Sequence, residues 1–470
     1  MNKLDDFTKA GHSMIEWLQR YFTDIEQFPV KPNISPGSIE ALLPKSAPKA
    51  GETFESIVSD FERIIMPGIT HWQHPGFHAY FPANNSYPSV LAELLTAGLG
   101  VQGMKWITSP AATELERIMM VWLRELIGLP NEYKGVIMDT ASVSTLCALL
   151  AAREKVTGYS VNENGHDGRK YRVYCSSEAH SSIEKAVRIA GLGSKNLVRI
   201  EVDNDFRMIT QKLEEAIQSD LRMGYVPTCI VGALGTTGSG SIDKLDEIGR
   251  IAQVYNIWYH IDAAYSGNAL ILPEFRESII GLEMADSLVF NPHKWLFTNF
   301  DCSAFFVKNH EDLTRTFSLV PAYLQTAESS DLDYSNWGIQ LGRRFRSLKL
   351  WFVIRSFGVE GLQSMLRNHI ELGKMFETLV KSAPDFELLL PRNLNVVCFR
   401  YCKGKASELN SINHALLEKI NASGKIFLSH TLINDTFALR FVCGQTRVTE
   451  WHIQEAWKII SISAEGLNQN

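Results

Sequence analysis

The chain has 470 residues, of which 45% are apolar and 21% charged, with a formal net charge of −6 and a pI near 6.1. That size suits a globular protein of two or three domains, and the acidic balance removes any general electrostatic reason to bind nucleic acid or an anionic membrane. No signal-peptide core opens the sequence and no apolar run reaches membrane-spanning length; seven scattered cysteines (147, 175, 229, 302, 398, 402, 443) lack the His cluster that would complete a metal site. Reduced core thiols, no metal and a cytoplasmic setting are therefore expected.

From Lys3 to about Phe28, Phe7, Met14, Leu18, Tyr21, Phe22 and Ile25 recur near helical spacing. Pro29, Pro32, Pro36, Pro44 and Pro48 then predict an extended link, followed by a helix through Phe54, Ile57, Val58, Phe61, Ile64 and Ile65. This stretch, 1–84, has no core of its own and reads as an arm that packs on something else, such as a second subunit.

A large domain is expected over 85–355. Within it, Gly135–Met138 reads as a strand and Ser142–Lys155 as a helix. Arg172–Cys175 precedes the helix Ser182–Ala190, Val198–Val202 the helix Leu213–Leu221, and Thr228–Gly232 the helix Leu245–Val254; Trp258–Ile261 follows. Such alternation argues for an α/β fold with a mostly parallel sheet covered on both faces, binding ligands at the carboxyl ends of its strands. The basic run Arg343-Arg344-Phe345-Arg346 reads as a solvated helix face or an intersubunit contact. A smaller α/β domain, 356–470, contains strands Val396–Tyr401 and Phe437–Val442 and the helix Glu450–Ile462; Cys398 and Cys402 fall where they would share a strand face.

Chemistry concentrates at the strand ends. Lys294, in Asn291-Pro292-His293-Lys294-Trp295, directly follows the apolar run Ser287–Phe290. Burial there disfavours the ammonium form and favours a nucleophilic amine, the kind that forms Schiff bases with carbonyl compounds such as pyridoxal phosphate. Asp262, thirty-two residues earlier, closes another strand, and a carboxylate is what keeps a cofactor's pyridine nitrogen protonated. Asp139-Thr140-Ala141-Ser142-Val143-Ser144 offers small residues and hydroxyls at a helix start, suited to a phosphate, and His180 follows a third strand where an imidazole can stack on a flat ring. Each has a plainer reading alone: a snorkelling lysine, a capping or ion-paired aspartate, ordinary helix capping and a structural histidine.

Together these segments resemble one family, the pyridoxal-phosphate-dependent group II decarboxylases, and among them the aromatic L-amino-acid decarboxylases. The resemblance spans nearly the whole chain. It runs through Ile64–Trp72, Ser109–Glu116, Asn291–Trp295, Asn299–Ser303 and Leu341–Lys349. It implies the aspartate-aminotransferase-like fold (type I) and an obligate homodimer whose amino-terminal arm embraces the partner, with active sites at the interface. It also implies roles: Lys294 binds the cofactor covalently, Asp262 pairs with the pyridinium nitrogen, and Ala264 and His180 cover the two ring faces. Ala141, Ser142, Asn291 and His293 hold the phosphate, Thr237 contacts the cofactor hydroxyl region, and Tyr323 is the proton donor on a loop.

The implied reaction is decarboxylation of an aromatic L-amino acid to the amine. Relatives that oxidise such substrates to aldehydes carry Phe at the tyrosine position or Asn at the histidine position, and this chain has neither change. An aminotransferase of the same fold and a silent interaction paralogue are the other readings; retention of Lys294 and Asp262 argues against the second. Trp72, Tyr80, Phe81, Pro82, Met104 and Gly342 match the substrate pocket. Ala83 and Met104 depart from the Thr and Phe found there in the family, and Gln102 and Lys105 flank the second departure, leaving tryptophan or 5-hydroxytryptophan, dopa, tyrosine and phenylalanine as candidates.

Overall fold

Seven strands build the sheet that the alternation predicts: β1 (Lys134–Met138), β2 (Tyr171–Ser176), β3 (Leu197–Ile200), β4 (Val226–Ala233), β5 (Trp258–Asp262), β6 (Ser287–Phe290) and β7 (Ser303–Val307), in the order β1-β7-β6-β5-β4-β2-β3. Strands β2 to β6 pair parallel, whereas β7 runs antiparallel to both β1 and β6. The reversal fits the connecting segment. The connection between β6 and β7, residues 291–302, holds only the one-turn helix Pro292–Trp295, too short to cover the sheet as the helix of a parallel crossover does. Every residue of β6 and β7 is buried, as expected of central strands covered on both faces. The helix Ala141–Val156 packs across β4 to β7 and buries Ser144–Leu149, Ala151, Ala152 and Glu154, which explains its lack of a polar stripe.

The computed structural model describes residues 4–319 and 333–467. The chain divides into two units: Ala83–Lys374 with Leu390–Val397, which holds the seven-stranded sheet, and Met1–Pro82 with Met375–Leu389 and Cys398–Asn470. The second unit carries all but the first two residues of β9 in a sheet ordered β10-β11-β9-β8, from β8 (Phe386–Leu388), β9 (Val396–Tyr401), β10 (Ser429–Ile433) and β11 (Thr436–Val442). Asn434 and Asp435, both at positive φ (47° and 60°), close the β10–β11 hairpin, a conformation these two residue types tolerate. Cys402 lies beyond the end of β9, so it does not share that strand's face with Cys398.

Part of the opening stretch is tied to the carboxy-terminal segment. Phe427 N–H donates to the Gly76 carbonyl (3.0 Å), His78 N–H to Phe427 (2.9 Å) and Val442 N–H to His78 (3.1 Å). Val30, Phe77 and Ala79 form a small buried cluster against Phe427. Outside that cluster Phe7, Ile15, Ile34, Leu42, Leu43, Phe54 and Ile57 remain exposed. Among the described residues no helix is long and apolar enough to cross a membrane.

Candidate active site

The carboxyl ends of β5 and β6 are joined directly. Ala263 N–H donates to the Val289 carbonyl (2.9 Å) and Asn291 N–H to the Ala264 carbonyl (3.0 Å), so the chain beyond Asp262 and the chain before Lys294 run side by side. Asp262 is the last residue of β5 and half-buried; its Oδ1 accepts from Ala264 N–H at 3.1 Å. Two residues back, His260 contacts Thr145 of the helix Ala141–Val156 at 3.3 Å. Strand periodicity therefore aims Asp262 at the face on which that helix begins.

Lys294 is fixed by its backbone. Its N–H donates to the Asn291 carbonyl (2.9 Å) and its own carbonyl accepts from Asn84 Nδ2 (2.8 Å). The next residue, Trp295, is fully buried, stacks on Tyr265 (4.7 Å, 7°) and donates to His369 Nδ1 (2.9 Å), locking the turn from behind. Neither Asn84 nor His369 carries a sequence signal for this duty, since both lie far along the chain.

His180 caps the helix Ser181–Ile189. Its Nδ1 accepts from Ser182 N–H (3.1 Å), which puts the neutral ring's proton on Nε2. Protein surrounds much of a ring still open to solvent on one side, and this desolvation holds the pKa below the ordinary histidine value; Asp262 pulls it up and Lys294 pushes it down. Strands β2, β4, β5 and β6 pair parallel, so His180, Asp262 and Lys294, each at or just beyond the carboxyl end of β2, β5 or β6, fall at one edge of the sheet. His293 behaves similarly: burial and then Lys294 lower its pKa to about 3, and its Nδ1 accepts from Cys302 N–H (2.9 Å), leaving Nε2–H as a donor.

At the start of the helix Ala141–Val156 the residue Thr140 makes no side-chain capping bond, which leaves first-turn amides for an anion, with Ser142 exposed beside them. Asp139 accepts from Gln340 Nε2 (2.9 Å). Thr237 is exposed in the turn after β4, while its neighbour Thr236 is buried and bonded to Ser239 (2.8 Å). Gly235 is obligatory there: its φ is +96° and a Cβ would lie 2.1 Å from Ser266 Oγ.

The remaining candidates fall on other segments. Met104 and Gly342 sit where residues 102–108 meet 333–343: Gly103 N–H donates to Arg343 (2.9 Å) and Ser335 N–H to Met104 (2.9 Å). This gives Gln102 and Lys105 a role. Gln102 Oε1 accepts from Arg343 N–H (3.2 Å) beside Gly342, and Lys105 forms a buried ion pair with Asp333 (3.6 Å). In the other unit Trp72 stacks on Tyr80 (6.0 Å, 22°), the Arg440 guanidinium covers Phe81 (4.5 Å), and Pro82 is buried. Tyr323 lies outside the described residues.

The basic run departs from its expected reading. Arg343 and Arg346 are buried and paired, Arg343 with Glu116 and Arg346 with Asp301 (3.0 and 3.2 Å), while the more exposed Arg344 pairs with Glu93. Burial of guanidinium groups demands partners, and three carboxylates distant in sequence supply them.

A strand-end lysine, carboxylate and neutral imidazole at one sheet edge, beside an uncapped helix start, define a site for a flat, phosphorylated carbonyl cofactor. Residues 36–402 match the pyridoxal-dependent decarboxylase conserved domain. The chain is 44% identical to an aromatic-L-amino-acid decarboxylase of Mus musculus (97% of each chain covered). It is 43% identical to a phenylacetaldehyde synthase of Arabidopsis thaliana (98% of this chain, 96% of the relative). The crystal structure of Oryza sativa TDC with PLP and tryptamine superposes over 99% of each chain with a TM-score of 0.95 at 33% identity. The chain thus belongs to the pyridoxal-dependent decarboxylase family; it is an enzyme, and its cofactor is pyridoxal phosphate. The donor set fits that group: uncapped amides and a neutral imidazole N–H for phosphate, a carboxylate for the pyridine nitrogen and an amine for the aldehyde carbon.

Proposed function

We propose that the protein removes the carboxylate of an aromatic L-amino acid, giving carbon dioxide and the corresponding arylalkylamine. The observation that carries this reading is the placement of Lys294, Asp262 and His180 at the carboxyl ends of parallel strands along one sheet edge. Bound pyridoxal phosphate supplies an electron sink for the pair released when the bond to the carboxylate breaks. In this reading Lys294 Nζ would hold the cofactor at its aldehyde carbon, the place the substrate amine also requires. Asp262 keeps a proton on the pyridine nitrogen, His180 and Ala264 confine the ring, and Ala141, Ser142, Asn291 and His293 hold the phosphate. Thr237 contacts the cofactor's hydroxyl side, and Tyr323 delivers the proton to the substrate carbon.

For the substrate the proposal takes Trp72, Tyr80, Phe81, Pro82, Met104 and Gly342 as contacts, with tryptophan or 5-hydroxytryptophan, dopa, tyrosine and phenylalanine as candidates. The working form is a cytoplasmic homodimer, with 1–84 as its arm, 85–355 as the cofactor domain and 356–470 as the small domain. Support for self-association comes from the helix Tyr87–Leu99, where Tyr87, Leu91, Leu94, Leu95 and Leu99 form an exposed apolar stripe at helical spacing.

A second reading, oxidation to the aryl acetaldehyde, is favoured by the resemblance to the Arabidopsis thaliana synthase. Product analysis separates the two. Incubation with each candidate amino acid should yield carbon dioxide and amine in equal amounts without a keto acid; aldehyde, ammonia and peroxide as main products would overturn the proposal.

A further inference from the structure

A cavity of about 510 Å³ lies between the helix Pro110–Ile127, the start of β1 and residues His310, Tyr334 and Trp337. Its volume falls within the range of small-molecule sites. Its aromatic wall is preassembled: Trp337 stacks on His310 (5.2 Å, 21°) and meets Tyr334 edge-on (5.4 Å, 68°). Among the described residues its charge has one sign, for Arg117, Arg124 and Lys134 line it and no carboxylate does.

These cations are incompletely satisfied. Among the described residues neither Arg117 nor Lys134 forms an ion pair. Arg124 is 8% exposed; Nη1 donates to the Asn131 carbonyl (3.1 Å), Nη2 lies 3.6 Å from Glu125, and Nε has no acceptor among the described residues. Like charges gathered round an apolar hollow focus a positive potential into it, and a flat anion relieves that cost while covering the aromatic wall.

The hollow is separate from the catalytic edge. Lys134 and Gly135 begin β1, whose far end precedes Asp139 and the helix start at Ala141; four residues of strand span about 13 Å. A physical link nevertheless joins them. Tyr334 and Trp337 share a segment with Gln340, which donates to Asp139 (2.9 Å), and with Arg343, which donates to the Ile137 carbonyl (2.8 Å). We propose that this cavity is a second binding site, for a small aromatic carboxylate, whose occupation is felt at the active site through residues 334–343.

The test uses cofactor-loaded enzyme and 3-(indol-3-yl)propanoate, which lacks the amine needed to react as substrate. Equilibrium dialysis should show saturable binding with a Kd of about 1 mM or tighter, and decarboxylation should change in a manner not competitive with the amino acid. The double variant Arg117→Ala/Lys134→Ala, at exposed positions outside the catalytic machinery, should keep its kcat/KM without the probe yet bind it at least about tenfold more weakly. The neutral 3-(indol-3-yl)propanamide should not bind. Absence of saturable binding, equal binding by variant and wild type, or purely competitive behaviour would each overturn the proposal.

Discussion

Replacing Glu116 by alanine tests how the motif segments 109–116 and 341–349 are held together. Glu116 Oε1 accepts from Arg343 Nη2 (2.6 Å) and from Ile137 N–H (2.8 Å), and Oε2 from Arg343 Nη1 (3.1 Å). Both side chains are nearly inaccessible, at 4% and 5% exposure. In Glu116→Ala the guanidinium keeps the carbonyls of Ile137 (2.8 Å) and Gly103 (3.3 Å) and the face of Tyr334 (5.1 Å), but no carboxylate compensates its charge. Stranding one member of such a pair costs about 3–5 kcal/mol, within which the orphaned Ile137 amide accounts for about 1–3 kcal/mol. Removing both charges with apolar side chains of similar volume, as in Glu116→Leu/Arg343→Met, restores the part of that loss due to the stranded charge, while the Ile137 amide stays orphaned. The assay is urea unfolding followed by tryptophan fluorescence, at fixed protein and cofactor concentrations because ligand binding and association add to stability. A single variant costing under about 1 kcal/mol, or a double variant no more stable than the single, would refute the assignment of a buried, mutually dependent pair.

Tyr323→Phe should lower amine formation by at least about 100-fold, the low end of general acid catalysis, with cofactor absorbance retained; an unchanged rate removes Tyr323 from the reaction. Acid should destabilise the fold before the carboxylates titrate. His74 and His260 have folded pKa values lowered to about 4, and His78 and His293 to about 3, all chiefly by burial. Between pH 6.5 and those values the unfolded chain binds protons that the folded chain refuses, so the stability these groups confer is complete above 6.5 and declines as pH falls, by about 1.4 kcal/mol per pH unit for each group at most. Thermal midpoints from pH 8 to 5 check this, and a flat profile down to pH 5 contradicts it. Finally, all seven cysteines are thiols and only Cys402 is not buried; burial pushes the thiols of Cys147, Cys175 and Cys302 up to about 12. A disulfide-exchange reagent should modify one thiol in the native protein and seven in denaturant, whereas several fast native thiols would contradict the packing.

What the sequence made legible was whatever local patterning controls. The apolar run before Asn291, the helix from about Ala141 and the strand ending at Asp262 each carry their signal within a dozen residues, so the elements that bring Lys294 and Asp262 to strand ends were readable in the sequence. The reversal of β7 was not, because nothing in Ser303–Val307 distinguishes an antiparallel from a parallel buried strand; the preceding connection simply lacks a crossover helix. The basic run misled for a related reason. Arginines 343 and 346 look solvated when read beside one another, yet their partners Glu116 and Asp301 are supplied by remote segments. The same holds at the lysine. Asn84, 210 residues away, holds the Lys294 carbonyl, and His369 anchors Trp295. Reactive groups announce themselves because the chemistry restricts which residue can serve. The groups that aim them are chosen only by where the fold brings a donor, so many residue types could serve and none leaves a local signature.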